Sequence, residues 1–502
     1  MFWADRLAGE IEKRYGRGKP LIIRDEKTVS GRVHIGSMRG VAIHGTVAEA
    51  LAQKGIENRF LYEFNDFDPM DDIPAYLDRA TFELHFGKPL RDIPSPDFSA
   101  KNFAEYFAGE FRKVIEDAGW HPEFYYSSEL YLSGKMDGAI REALEHAHDI
   151  RRIYKEVSGS QKGEDWLPLS VICGQCGSVF STQARNFDGK EVEYSCKCGY
   201  ERKTSPFGGK AKLPWKVEWP AKWSVLGVAV EGAGKDHSTK GGARDVADHI
   251  SREVFNYEPP FNIPYEFFLV GGRKMSASKG LGSSAVDIAN LIPPKILRLA
   301  LLGKEINQQT NFDPEGDTVP VLYDHYDKLA ENYRSGANDD YARLFEFLGR
   351  SDLPDFLMRF SQVVFIVQMP HMDLGEEAEK IKGGALNAEE KKELEERAAY
   401  AKKWLAEYAP EKFVFKLQDT LPPAAKNLSP EQKRALAQFA DFIKSSPEMK
   451  NGEELHQKLH ELKEFKAVYL AFLGKESGPK AGWFLSVLDR EFVLRRLKEA
   501  SA

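Results

Sequence analysis

Residues 33–40 read VHIGSMRG and follow KPLIIRDEKTVSGR at 19–32. The apolar, β-branched run in the earlier segment has the composition of a strand, and MRGVAIHGTVAEALAQKG, from 38 onward, has the periodicity of a helix. A strand that turns directly into a helix leaves the first helical amides unpaired at the positive end of the dipole, where phosphate binds readily. Two readings of this corner follow. In one, His34 donates to a phosphate and Gly36, having no Cβ, lets a planar base approach the backbone. In the other, His34 is a buried or capping histidine beside a packing glycine.

Outward from this corner, strand-like runs (PLIIRDE, NRFLYEFND, YEFFLV) alternate with helix-like stretches from residue 20 to about 300, a pattern that implies a mostly parallel sheet with helices on its faces. The region 85–215, rich in Pro, Gly and charge, interrupts it and reads as an insertion. Beyond 320 the strand signals fade, and Asn387 with Glu390 and Ser429 with Gln432 have the spacing of capping boxes opening amphipathic helices. The expected organisation is an α/β, Rossmann-like parallel-sheet catalytic domain in two halves, 1–84 and 216–320, around an insertion at 85–215, followed by an all-α region at 321–502.

Two further segments bear on the chemistry. VGGRKMSASKG at 270–280 combines small residues with Lys274 and Lys279, which suits a loop that closes on a polyphosphate and equally suits an ordinary turn. GVAVEGAGKDHSTKGG at 227–242 resembles a P-loop at first sight, but Asp236 follows Lys235 where the Mg²⁺-binding hydroxyl belongs, so that reading fails. What remains is a glycine turn with an aspartate: glycines for close approach and a carboxylate for paired hydroxyls, or a capped turn with no ligand.

The chain has 502 residues, 42% of them hydrophobic, and a formal charge of -7, so a nucleic-acid partner must be held by local basic patches. No stretch approaches the roughly 18 apolar residues of a membrane span. Charge begins at Asp5, and the expectation is a cytoplasmic protein without a signal peptide. The four cysteines form CGQC at 173–176 and CKC at 196–198, 19 residues apart. Zinc held by Cys173, Cys176, Cys196 and Cys198 is the favoured reading over two disulfides or free thiols, although CxC is unusual where CxxC is the rule. Residues 185–216 hold eight Lys or Arg and four Asp or Glu, a basic surface suited to an RNA phosphate backbone or a solvated ribbon.

Taken together, HIG at 34–36 and KMSASKG at 274–280 resemble the HIGH and KMSKS signatures of class I aminoacyl-tRNA synthetases. The chain is most similar to the archaeal-type lysyl-tRNA synthetases of that class, through TVSGRVHIGSMRG, EFNDFDPM, SSELYLSGKMDGAI, VEWPAKW, GAGKDHSTKGG, KMSASKG and, near the end, FLGKESGPKAGWFLSVLD. The resemblance implies ATP with Mg²⁺ as co-substrate, a lysyl-adenylate intermediate, tRNA(Lys) as acceptor, a structural Zn²⁺ and anticodon reading by 321–502. It makes His34 and Lys274 the catalytic pair and adds Gly36, Ser37, Gly232, Gly234, Asp236, Ser276, Ser278 and Lys279 to the ATP site. The lysine ammonium calls for carboxylates, carbonyls or an aromatic face: Asp25 or Glu26, Thr28, Trp219 or Trp223, and His237. Ser37 and Ala277 depart from the signatures, so the second loop cation passes to Lys279. The rivals are a glutamyl-type synthetase and a catalytically silent RNA-binding protein.

Overall fold

Strand β1 (Leu21–Thr28) sits at the centre of a parallel sheet and is flanked by β2 (Asn58–Asn65) on one side and β4 (Val228–Val230) on the other. Beyond β2 lies β3 (Glu123–Tyr126), giving the order β3-β2-β1-β4. The register pairs Ile23 with Phe60 and Tyr62 with Phe124. A computed structural model supplies this description, for residues 1–272, 284–349, 353–369 and 372–502.

The apolar run that opens β1 packs between its neighbours, and helices cover the faces. Helix α1 (Trp3–Tyr15) precedes β1, α2 (Met38–Gln53) crosses from β1 to β2, and α3 (Phe103–Asp117) leads into β3. Helix α2 is packed from small and apolar residues and is buried along nearly its whole length, which places its N-terminus against the sheet's carboxyl edge. After β3 the chain makes a long excursion, forms α4 (Trp215–Leu226), and returns to the opposite side of β1 as β4; α5 (Ala243–Glu253) follows. Strand order therefore reverses at β1, and in open parallel sheets the crevice at such a switch point, beyond the strands' carboxyl ends, is where ligands bind.

The expected parallel sheet is present, and β3 with its helix α3 lies inside the stretch 85–215 that composition assigned to an insertion. The cysteine-bearing part is confined to the later half of that stretch. There Thr182–Arg185, Val192–Cys196 and Glu201–Thr204 pair as a three-stranded antiparallel sheet.

The chain divides into two compact units, 1–312 with 336–349, and 313–335 with 350–502. Residues 336–349 join the first unit through Arg343, whose Nε and Nη2 donate to Asp5 at 2.8 and 2.9 Å. In the second unit every regular element among the described residues is helical. The expected capping boxes form there: the Asn387 side chain accepts from the Glu390 amide at 2.8 Å and Ser429 from Gln432 at 3.2 Å, each answered by the reverse bond. Its core is built from Leu436, Phe439, Leu455, Phe472 and Phe484. Among the described residues no helix is long and apolar enough to cross a membrane.

Candidate active site

At the carboxyl ends of β1 and β4 a cavity of about 420 Å³ opens, and eleven of the residues singled out by sequence line it: Asp25, Glu26, Thr28, His34, Gly36, Ser37, Trp219, Gly232, Gly234, Asp236 and His237. Lys274, Ser276, Ser278 and Lys279 lie outside the described residues. The chain on either side of them reaches the cavity edge. Leu269 lines it, Ser284 forms an antiparallel bridge with His34, and the Ala285 amide donates to the Val33 carbonyl at 2.8 Å.

One end of the cavity is built on a buried ionic cluster. Arg24, on the central strand and fully buried, donates to Glu231 at 2.6 Å, to Glu63 at 2.7 Å and to Glu26. Lys222 donates to Glu63 at 2.5 Å and lies 3.3 Å from Glu218, while Lys212 holds Glu218 at 3.0 Å and Asp68 at 2.7 Å. Thr28 also donates to Asp68, at 2.7 Å. Burial pushes the Glu63 carboxyl up, but Lys222 and Arg24 together outweigh it and hold Glu63 far below the usual carboxylate range. Counted formally, five carboxylates (Glu26, Glu63, Asp68, Glu218, Glu231) meet three cations (Arg24, Lys212, Lys222), two more acids than bases even though burial pushes the Glu231 carboxyl up; Asp25 and Lys27, also in the cavity lining, add one charge of each sign. Of the cluster carboxylates, Glu26 and Glu231 both line the cavity, beside Trp215 and Trp219. A wall of this kind accepts an ammonium.

The tryptophan ladder corrects one of the sequence candidates. Trp223 is fully buried and donates to Glu231 at 2.8 Å, so it belongs to the core. Trp219 makes the equivalent bond to the other Glu231 oxygen, also at 2.8 Å, and stacks on Trp215 with ring centres 5.2–5.4 Å apart along the series. Trp215, missed in the sequence, donates to Glu26 at 3.1 Å and lies 5.3 Å from the His237 ring. Its spacing of four residues before Trp219 was the available signal, since residues four apart share a helix face. Asp25 lies under α2, where burial raises its carboxyl and Gly40 makes room for it: a Cβ on Gly40 would stand 2.6 Å from Asp25 Oδ2.

The other end presents backbone. The turn Ile35–Ser37 leads into α2, whose first turn carries no acidic residue, so the dipole end faces the cavity without a competing carboxylate. Arg39, buried at that end, donates to the Leu301 carbonyl and at 3.2 Å to that of Glu305, and burial lowers it to about 10. Gly232 is wedged against the strand beyond it, where a Cβ would lie 2.2 Å from the Ile263 carbonyl oxygen. Its amide donates at 2.7 Å to Nε2 of the buried His44. Because a backbone N–H only donates, Nε2 carries the lone pair and the proton sits on Nδ1, which donates to the Gly40 carbonyl at 2.8 Å.

Apart from this cavity, the four cysteines converge, with all four sulfur atoms within 4.8 Å of one another. Cys173 and Cys198 are 3.7 Å apart and Cys176 and Cys196 3.6 Å, far beyond the roughly 2.05 Å of a disulfide and close to the edge of about 3.8 Å of a tetrahedron with metal–sulfur bonds near 2.3 Å. Both halves contribute, because Gly199 takes φ +89° and lets the CxC turn close. The donor set therefore fits zinc. The basic character read from 185–216 is smaller by one than the count implied, because Lys212 is buried in ion pairs with Asp68 and Glu218, outside that segment.

A family model described as tRNA synthetases class I (K) matches residues 1–348. A lysine–tRNA ligase of Methanosarcina barkeri (strain Fusaro) is 36% identical over 532 residues, covering 99% of this chain and 97% of its own. One from Archaeoglobus fulgidus is 31% identical over 512 residues, covering all of both chains. Among solved structures, a glutamate tRNA ligase from Elizabethkingia meningosepticum aligns over 96% of this chain and 99% of its own at TM-score 0.44 and 12% identity.

Proposed function

We propose, for a chain that belongs to the class I tRNA synthetases (K), that it attaches L-lysine to tRNA(Lys) with ATP, by way of a lysyl-adenylate. One observation carries the reading: the switch-point cavity joins a surplus of carboxylate, beside an indole, to a helix start and glycine turn suited to a nucleotide. In the first step a lysine carboxylate oxygen attacks the α-phosphorus and pyrophosphate leaves. In the second, a hydroxyl of the terminal tRNA ribose attacks the carbonyl and AMP leaves. Neither step needs a protein nucleophile; the chain orients the reactants and stabilises the charge that develops.

The residues divide between the two ends of the cavity. Glu26, Thr28, Trp219 and His237 hold lysine, with the ammonium at Glu26 and the alkyl chain against the indole. His34, Gly36 and Ser37 meet the phosphates, and Gly232, Gly234 and Asp236 take the ribose. Lys274 and Lys279 offset the charge of the departing pyrophosphate and Ser276 and Ser278 donate hydrogen bonds to it, where Mg²⁺ bound with ATP would supply further positive charge. Cys173, Cys176, Cys196 and Cys198 hold a structural Zn²⁺, which ties the antiparallel ribbon together. The helical region 321–502 reads the anticodon, and the enzyme works in the cytoplasm.

A glutamyl-type activity is disfavoured by the same electrostatics, since a second carboxylate brought beside Glu26 meets a wall that already holds two more acids than bases. ATP–pyrophosphate exchange with each amino acid, run at saturating tRNA, tests the assignment. Lysine-dependent exchange is expected; glutamate-dependent exchange, or none with any amino acid, overturns it.

A further inference from the structure

We propose that His44, which does not line the cavity, is a positioning residue that holds the ribose turn in register with the phosphate end of the site. The inference rests on reading that end as the ATP pocket.

His44 lies in α2, two turns beyond the His34–Ser37 corner, and its imidazole is completely buried. One ring nitrogen accepts from the Gly232 amide at 2.7 Å and the other donates to the Gly40 carbonyl at 2.8 Å, so a single side chain ties together segments 188 positions apart in sequence. Gly232 opens the turn that carries Gly234 and Asp236. The ring has little freedom: Phe60 stacks on it and Tyr265 meets it edge-on, each at 6.4 Å, and Asp25 Oδ2 lies 3.7 Å from Nδ1. Gly232 is pressed against the Ile263 carbonyl on its other side, so its amide has no room to swing towards a different acceptor.

A buried amide deprived of its acceptor is costly, and the backbone moves to relieve it. Here the segment that carries Gly232 is the turn that meets the ribose; the pairing of Ala233 with Pro264 and Gly234 with Tyr265 holds it on one side, and loss of the imidazole removes its anchor on the other. The lysine end is held separately, by Arg24 and the two tryptophans on Glu231. Loss of the imidazole acceptor therefore falls on ATP and spares lysine, a split that mere destabilisation does not produce.

The test compares two polar substitutions. In His44→Gln the side-chain amide oxygen reaches the Gly232 amide; in His44→Asn the amide ends near the position of Nδ1 and falls short of it. Exchange is measured against ATP and against lysine at saturating tRNA. The Asn variant is expected to raise the KM for ATP about tenfold and that for lysine less than about twofold, with the Gln variant near wild type. An ATP KM unchanged in the Asn variant, or ATP and lysine KM values rising together in both variants, overturns the proposal. A measurement on the unaltered enzyme stands beside these: with nitrogen-15 histidine labelling, the His44 signal, identified by its loss in His44→Gln, is expected to show Nε2 unprotonated at neutral pH, and a protonated Nε2 overturns the assignment. Absence of lysine-dependent exchange in the wild type counts against the functional reading and leaves this tautomer result to be judged by itself.

Discussion

Replacing Glu63 with glutamine keeps shape and removes one charge from the centre of the first unit. Glu63 is completely buried and accepts from Arg24 at 2.7 Å, Lys222 at 2.5 Å and the Tyr125 hydroxyl at 2.6 Å. The glutamine nitrogen must face one of those donors, and two buried cations lose the anion between them. Arg24 keeps Glu231 and Glu26 and Lys222 keeps Glu218, but breaking one arm of a buried ion-pair network costs about 3 to 5 kcal/mol. Unfolding by urea, followed by tryptophan fluorescence, measures it, because six of the eight tryptophans lie in the first unit. Glu63 titrates below its ordinary 4.5 in the folded chain, so the stability it contributes is complete above that value and is lost as pH falls. The difference between wild type and E63Q is therefore largest at neutral pH and shrinks below about pH 4.5. Adding Lys222→Met to E63Q removes the cation that lost its nearest carboxylate and is expected to recover part of the loss. A neutral-pH loss under about 1 kcal/mol refutes the charge accounting, as does a double variant weaker than E63Q by the full cost of a second lesion.

Three further outcomes are expected. Glu26→Gln raises the KM for lysine by about ten- to a hundredfold, the worth of a charge-assisted hydrogen bond, and leaves that for ATP nearly unchanged in the exchange assay. Lys274→Ala slows adenylate formation in single-turnover experiments while tRNA affinity, read by filter binding, stays near wild type; an unchanged rate removes that lysine from the chemistry. Elemental analysis finds one zinc per chain, and Cys196→Ser, which breaks the tetrahedron, lowers the metal content and makes the segment 173–204 more accessible to protease.

Much of the site was legible because its chemistry is local. His34, Gly36, Gly232 and Asp236 announce themselves through glycine spacing at strand ends, and the cysteines through two tight turns. Glu63, Lys222, Arg24 and Glu231 gave no such signal, since their roles arise from pairing between β1, β2, α4 and the end of β4, and no periodicity encodes which buried charge meets which. Trp215, Trp219 and Trp223 show the limit of spacing: a four-residue repeat puts three indoles on one helix face and does not say which meets the cavity and which the core. The insertion began too early in the sequence reading because β3 is only four residues long and lacks an apolar run of its own. In the second unit the capping boxes were readable residue by residue, while the membership of 336–349 in the first unit rests on a long-range pair between Arg343 and Asp5.

The ionic cluster under the cavity also bears on how such an enzyme changes its preferred amino acid over evolutionary time. Because Arg24 serves Glu26, Glu63 and Glu231 together, and Lys222 serves both Glu63 and Glu218, a single exchange in the cluster disturbs every pair that shares its cation. A change of preferred amino acid in this scaffold is therefore expected to need several exchanges made together, for stability as much as for recognition.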